Sequence, residues 1–148
     1  MDAPIFADAP PPPSLKKASS ALRGGKSSLA PLPSAAALAA FPTIDEALYS
    51  SLSSGLEALK WRTIPRPGGA TMKPEAYYSL AGARAQADKG DVSGEKPMWA
   101  PQGGLDFDGR ALYDAHERLG GMDATAAKRV FLATHAAALK DPENWRRY

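Results

Sequence analysis

Two histidines, His116 and His135, are the side chains in this sequence best suited to catalysis or metal binding. Histidine titrates near neutral pH and is a common general base and metal ligand. The two do not have the four-residue spacing that places two ligands on one helical face, so a metal site would require two helices brought into register. We therefore predict no metal site and no catalytic residue. A small enzyme that uses His116 or His135 is kept as an outside alternative.

The segment Arg23–Ser27 ends in the Gly-Lys-Ser of a phosphate-binding loop, in which backbone N–H groups, a lysine and a hydroxyl hold a nucleotide and its magnesium. The first glycine of that motif would fall at Ser20, and the stretch upstream is the proline run Pro10–Pro13 instead of a buried strand. A flexible basic linker is the better interpretation of these residues. We predict no nucleotide cofactor.

Acidic residues between positions 106 and 117 match part of the ligand pattern of a calcium-binding loop. With Asp106 as the first ligand, the fifth position is the cation Arg110, and Ala111 replaces the required glycine. Helix capping is therefore the preferred role for these aspartates.

The absence of cysteine excludes disulfides, iron–sulfur ligation and thiol catalysis. The sequence contains no Gly-x-Ser-x-Gly elbow, so a serine hydrolase is not indicated.

Large aromatic side chains beside arginines form the remaining pattern. Trp61-Arg62, Trp99 and Trp145–Tyr148 lie in or next to Pro/Gly-rich or terminal segments, outside any amphipathic stripe. Trp, Tyr and Arg dominate protein–protein hot spots. We favour partner anchoring for Trp145 and Tyr148, whereas Trp61 and Trp99 could equally fold back over the helices. The predicted partner-binding residues are Lys16, Lys17, Arg23, Lys26, Trp61, Arg62, Trp99, Trp145, Arg146, Arg147 and Tyr148.

The composition limits both the core and the class of partner. The chain has 148 residues, with 14 prolines, 13 glycines and only three Trp, five Tyr and four Phe, which suits one small core. A net charge of +2 is too small for a general nucleic-acid binder, yet residues 9–44 and 58–74 contain lysines and arginines without any acid. No apolar run approaches the ~20 residues of a bilayer span, so no membrane span is predicted.

Residues 1–42 are predicted to form an extended basic arm rich in Pro, Ala and Ser. Pro10–Pro13 favours a polyproline-like backbone, and the stretch after it lacks apolar periodicity. Residues 14–41 have the composition of an organellar targeting peptide, but Asp2 and Asp8 are acidic where such a peptide is normally positive. A retained arm is therefore preferred to a cleaved presequence, and its lysines and arginine could contact an acidic protein surface or RNA.

The first helix is predicted over residues 43–61. Thr43 and Glu46 can form a capping box at its start. Four leucines, at positions 48, 52, 56 and 59, then fall on one stripe of a 3.6-residue helix, and this stripe must be covered by other parts of the protein. Gly55 lies inside this helix and is tolerated there at about 1 kcal/mol relative to alanine.

The C-terminal section has the signals of a helical hairpin. Asp106 or Asp108 can cap its first helix, and Asp123 can cap its second. Gly120 and Gly121 supply the short turn between them. The interior of this hairpin is predicted to consist of Leu112, Leu119, Val130, Phe131 and Leu139.

These elements predict a mostly α fold: short helices, including a C-terminal helical hairpin, joined by Pro/Gly-rich irregular segments, with an extended N-terminal arm. Residues 43–148 form the small helical region with long irregular connectors, which includes a further helix from Pro74 to about Asp88 despite Gly82. No alternating apolar pattern is found, so no strand is predicted. So few interior side chains suggest that the chain gains part of its order from its neighbours.

We predict a non-catalytic accessory or structural subunit of a large multiprotein assembly, which binds its neighbours through the arm and the aromatic and arginine anchors. An intracellular, mitochondrial complex is favoured because the arm resembles a presequence in composition. A ciliary microtubule-associated protein is the second choice, since a basic, proline-punctuated chain suits acidic tubulin. An RNA-contacting ribosomal subunit is a further alternative, and its phosphate contacts would give a steep salt dependence.

Overall fold

Five α-helices and a two-stranded ribbon form the part of the chain that the computed structural model describes, residues 29–147. Short strands β1 and β2 pair antiparallel, with Ile64 opposite Met72. The predicted mostly helical fold is confirmed; the ribbon was not predicted, because two-residue strands are too short to show an alternating pattern. The elements are α1 (Ala35–Ala39), α2 (Glu46–Ser54), β1 (Ile64–Pro65), β2 (Thr71–Met72), α3 (Glu75–Lys89), α4 (Phe107–Glu117) and α5 (Ala124–Lys140).

Helix α2 begins and ends inside the range predicted for it. The Asp45 carboxylate accepts a hydrogen bond from the Leu48 backbone N–H at 3.0 Å, so Asp45 is the N-cap and the predicted Thr43–Glu46 capping box is wrong. The helix stops at Ser54 and Gly55 is its C-cap; a separate 3-10 turn follows over Leu56–Ala58. An aspartate is at least as good a cap as a threonine, and it moves the helix start by two residues.

The buried face of α2 differs from the predicted leucine stripe. Leu48 is exposed, whereas Tyr49 is buried and packs edge-to-face on Phe131 with the ring centroids 5.2 Å apart. Leu56, at the start of the following turn, is fully buried. An aromatic ring buries more apolar area than a leucine and gains from edge-to-face geometry, which explains why Tyr49 faces the interior.

Helix α3 is the central element, and both α4 and α5 pack chiefly against it. At the crossing with α4, a Cβ atom placed on Gly82 would lie 2.6 Å from the carbonyl carbon of Ala115. The glycine that breaks the apolar pattern of α3 therefore permits the close approach of two backbones. The aspartate caps of the C-terminal section are confirmed: Asp106 accepts from the Gly109 N–H at 2.9 Å and Asp123 from the Ala126 N–H at 2.8 Å.

The core is built around an aromatic cluster with α3 at its centre. Tyr77 makes edge-to-face contacts with both Tyr78 and Trp61. Of the interior predicted for the C-terminal section, Leu139 is 58% exposed and is a wrong assignment, because it lies on the solvent side of the last turn of α5. The largest fully buried side chains are Tyr78, Phe131, Leu56, Leu80, Leu119 and Gln86.

The described part of the predicted arm, residues 29–42, is held against the helices. The Arg118 guanidinium donates to the Ala30 carbonyl at 2.7 Å, and Arg129 donates to the Phe41 carbonyl at 2.8 Å. This segment contains α1, whose start is capped by Ser34, so it is not extended throughout as predicted. None of the described helices combines the length and the apolar character needed to cross a bilayer.

Candidate partner-binding surfaces

Trp61 and Trp145 meet where two distant segments pair as a short antiparallel bridge. The Arg62 N–H donates to the Asn144 carbonyl, and the Arg146 N–H donates to the Lys60 carbonyl, both at 2.9 Å. The two indole rings stack with their centroids 4.5 Å apart. This bridge, which we call the Trp61–Trp145 bridge, closes the C-terminal segment onto the connector that follows α2.

Trp61 belongs to the interior of the protein. Its side chain is only 4% exposed, and its indole N–H donates to the Leu56 carbonyl at 2.9 Å. The proposed role of Trp61 as a partner anchor is therefore corrected to internal packing. Trp145 is half-buried, with one side of its ring against Trp61. Local sequence could not show this, because the two tryptophans are far apart in the chain.

Trp99 is placed in the opposite way, on a loop that we call the Trp99 hairpin, residues 97–106. Trp99 pairs with Leu105 as a second isolated bridge, and the Asp106 N–H donates to the Met98 carbonyl at 2.9 Å. Trp99 is nevertheless 71% exposed and Met98 is 47% exposed. Two large apolar side chains thus protrude from a hydrogen-bonded turn. A protruding apolar pair of this kind is typical of an interaction site.

Contacts with α4 hold the Trp99 hairpin in place. The Arg110 guanidinium donates to the Pro97 carbonyl at 3.0 Å, and Lys96 forms an ion pair with Asp114 at 2.8 Å. The tip is closed by a hydrogen bond from the Ala100 N–H to the Gly104 carbonyl at 2.9 Å. Gly104 has a φ of 80°, a conformation that favours glycine. The exposed side chains of Trp99 and Met98 therefore stand on a preformed support.

The predicted basic residues fall into two groups. Lys16, Lys17, Arg23 and Lys26 lie outside the described residues, as does Tyr148. Arg62, Arg146 and Arg147 are exposed, and the Trp61–Trp145 bridge brings the first two close together with Lys60, which the prediction did not include. Proximity of residues 60–62 to 146–147 depends on long-range pairing, so no local sequence signal could have revealed it.

The histidines occupy separate environments. His116, on α4, has its Nε2 atom 2.7 Å from the Gly90 carbonyl oxygen. His135, on α5, is buried beside the Phe131 ring, and this burial lowers the pKa of its imidazole. Within residues 29–147, no group of three or more His, Asp or Glu side chains could hold a metal ion.

A cleft of about 490 Å³ brings His116 together with Glu57 and Asp88. Glu57 pairs with Arg84, whose hydrogen bond is the main reason that the pKa of Glu57 is lowered and that of Arg84 is raised. Asp88 accepts a hydrogen bond from the Tyr49 hydroxyl at 3.1 Å. Burial, followed by the Asp88 charge, raises the pKa of Tyr49 to about 12. Each acidic group is thus held by a partner within the protein.

A second, larger cleft of about 650 Å³ lies between α1, the ribbon, the start of α3 and the end of α5. Its lining carries both signs of charge, with Arg62, Arg66 and Lys73 as well as acids, and it includes several alanines. This mixture favours no particular ligand. The acids that line it are Glu75, Asp141 and Glu143.

No protein-family model matches the chain, and no curated protein matches its sequence at a significant level. Its geometry must therefore be interpreted from its own residues. Exposed Met98, which the predicted partner-binding residues did not include, joins Trp99 as a candidate. The sequence signal was the presence of two large apolar residues in a segment otherwise rich in Gly, Pro and charge.

Proposed function

We propose that this protein is a non-catalytic subunit of a protein assembly and that the Trp99 hairpin is its docking element. The observation that carries the proposal is the 71% exposure of Trp99 on a hydrogen-bonded turn. Among the three tryptophans, all within the described residues, Trp99 alone is exposed. Water contact with so large an apolar side chain is unfavourable, and burial in a partner's pocket would remove it.

The hairpin is suited to this role because it is already ordered. Binding costs less when the contacting side chains and their backbone do not have to be immobilised. The bridge from Trp99 to Leu105 and the hydrogen bond from Arg110 to Pro97 provide that order in the free chain. A tryptophan in such a position typically contributes about 2–4 kcal/mol to binding when it enters a pocket.

Affinity purification of the full-length protein from the cells that naturally produce it tests the proposal. Wild type, Trp99→Ala and Leu139→Ala would carry the same tag, and the co-purifying proteins would be quantified by mass spectrometry. Leu139→Ala is the matched control, because Leu139 is also an exposed large apolar residue, but lies on α5. We expect Trp99→Ala to lose the main partner and Leu139→Ala to retain it.

The same experiment distinguishes the classes of assembly. Respiratory or ATP-synthase subunits among the partners would support a mitochondrial complex, tubulin would support a microtubule-associated protein, and ribosomal proteins with RNA would support a ribosomal subunit. A protein that is recovered alone, or a partner set that is the same for Trp99→Ala as for wild type, would contradict the proposal.

The second candidate function is a small enzyme, favoured by the cleft that gathers His116, Glu57 and Asp88. It ranks second because His116 contacts the Gly90 carbonyl and Glu57 is paired with Arg84. A metabolite library screened by thermal shift against wild type and His116→Gln tests this alternative. A compound that raises the Tm of wild type only would support an enzyme, whereas a screen without such a compound would argue against it.

A further inference from the structure

The Trp61–Trp145 bridge creates a cluster of positive charge that the sequence keeps in two separate pieces. Lys60, Arg62, Arg146 and Arg147 are all exposed. Within residues 29–147 the ion pairs are formed by other side chains, and none of these four cations has an acidic partner. Lys60, Arg62 and Arg146, which the hydrogen bonds of the bridge join, form what we call the basic bridge surface.

The backbone of the basic bridge surface is fixed by its hydrogen bonds. Successive side chains of an extended segment point to opposite sides. Since Trp61 points into the core, Lys60 and Arg62 point outward. Arg146 is joined to the same strand by its N–H, which donates to the Lys60 carbonyl at 2.9 Å. Three cations are therefore presented together on a hydrogen-bonded backbone that is backed by the Trp61 and Trp145 rings.

Acidic residues of the described chain lie next to this surface, but they form no ion pair with its cations. Asp141 and Glu143 precede Trp145 in the chain, and the Asp141 carboxylate accepts the Glu143 N–H at 2.9 Å as a turn cap. Neither carboxylate forms an ion pair within the described residues. Like charges held close together repel one another, so an acidic ligand would relieve this repulsion as well as form its own contacts.

We propose that the basic bridge surface binds an acidic segment of a partner protein. Two of its three cations are arginines, whose planar guanidinium groups bind carboxylates in a bidentate manner. Among the described residues, the aromatic rings at this bridge are Trp61, which is buried, and Trp145, which is half-buried against it, so they offer a base little of the stacking surface that single-stranded RNA binding uses. None of the exposed large apolar residues of the described chain belongs to the basic bridge surface, as insertion into a lipid surface would require.

Fluorescence anisotropy with a short labelled oligoglutamate peptide tests this proposal on the full-length protein. The test variant is Arg62→Gln/Arg146→Gln. The control is Lys89→Gln/Lys140→Gln, which removes the same charge from exposed lysines at the ends of α3 and α5. We expect the test variant to bind about fivefold to tenfold more weakly and the control to change less than about twofold.

Three further measurements make the result decisive. Trp99→Ala should bind the peptide as wild type does, because this surface is separate from the Trp99 hairpin; failure of one proposal therefore does not imply failure of the other. Single-stranded RNA and phosphatidylserine vesicles, measured at physiological ionic strength, should bind more weakly than the peptide. Equal losses in test and control variants, no peptide binding at low salt, or tighter binding to RNA or vesicles would each overturn the proposal.

Discussion

The two isolated bridges of this protein carry tryptophans in opposite settings. At one bridge, Trp61 is 4% exposed and packs on Tyr77 and Trp145. At the other, Trp99 pairs with Leu105 and is 71% exposed. Both are isolated antiparallel bridges, but only at the first does the tryptophan pack on a side chain of α3, Tyr77. Whether a tryptophan contributes to the core or to a surface therefore depends on what packs against its ring.

Trp61 and Trp99 should contribute to different properties, the first to stability and the second to partner binding. Removal of Trp61 should affect the free energy of unfolding, because its ring fills interior space. Removal of Trp99 should affect only the recognition of a partner, because its ring contacts mostly water. Variants at the Trp61–Trp145 bridge should therefore change stability, whereas variants at the Trp99 hairpin should change partner binding.

The largest effect is expected for Trp61→Ala. Loss of a buried tryptophan leaves a cavity and removes the hydrogen bond to the Leu56 carbonyl, so the free energy of unfolding should fall by about 3–5 kcal/mol. Urea unfolding followed by circular dichroism measures this change. Trp61→Phe keeps a ring against Tyr77 and should lose less. A fall of under about 1 kcal/mol for Trp61→Ala would show that Trp61 is not a core residue.

A smaller loss is expected for Trp145→Ala, about 1–2 kcal/mol in the same urea experiment. This ring is half-buried and covers Trp61 from one side only. Trp145→Phe is the matched variant that preserves an aromatic contact. If Trp145→Ala unfolded at the same urea concentration as wild type but no longer bound the partner, Trp145 would be a partner-binding residue, as we propose for Trp99.

A pH-dependent loss of stability is expected from His135, whose side chain on α5 is buried. Burial lowers the pKa of its imidazole in the folded state, so the unfolded chain takes up a proton first as the pH falls below about 6.5. Stability is therefore retained above that pH and is lost below it. The Tm of wild type should fall between about pH 7 and pH 5 more than that of His135→Leu. Equal pH dependence in both proteins would refute this role.

The smallest stability effect is expected for Trp99→Ala. Because the indole is mostly in water, the free energy of unfolding should change by less than about 0.5 kcal/mol. Urea unfolding of Trp99→Ala alongside Leu139→Ala provides the measurement and its control. A loss as large as that of Trp61→Ala would mean that Trp99 packs inside the protein and that the two bridges do not differ.

Features encoded by neighbouring residues were predictable from the sequence. The cap at Asp123 and the cap at Asp106, one of the two aspartates offered for that helix, were anticipated, because each depends on residues within a single helical turn. The α2 cap was misplaced by two residues, since Thr43 and Asp45 offer competing capping groups. Such ambiguity is resolved only by packing, here the contact of Tyr49 with Phe131.

Features that depend on distant residues could not be predicted. The stacking of Trp61 on Trp145, and with it the basic bridge surface, requires pairing between segments separated by most of the described chain. The close crossing at Gly82 depends on where α4 lies, which the sequence of α3 does not encode. For Trp99 the sequence left packing and binding equally open, because the exposure of its ring depends on whether another segment of the chain covers the Trp99 hairpin.

Site-specific photo-crosslinking tests whether the Trp99 hairpin contacts a partner protein. A photoreactive phenylalanine derivative would replace Trp99 in one variant and Leu139 in another, each expressed in the cells that naturally produce the protein. We expect one predominant crosslinked protein from position 99, and we expect that position 139 does not crosslink the same protein. The same crosslinks from both positions, or no crosslink from position 99, would contradict the proposed role of the Trp99 hairpin.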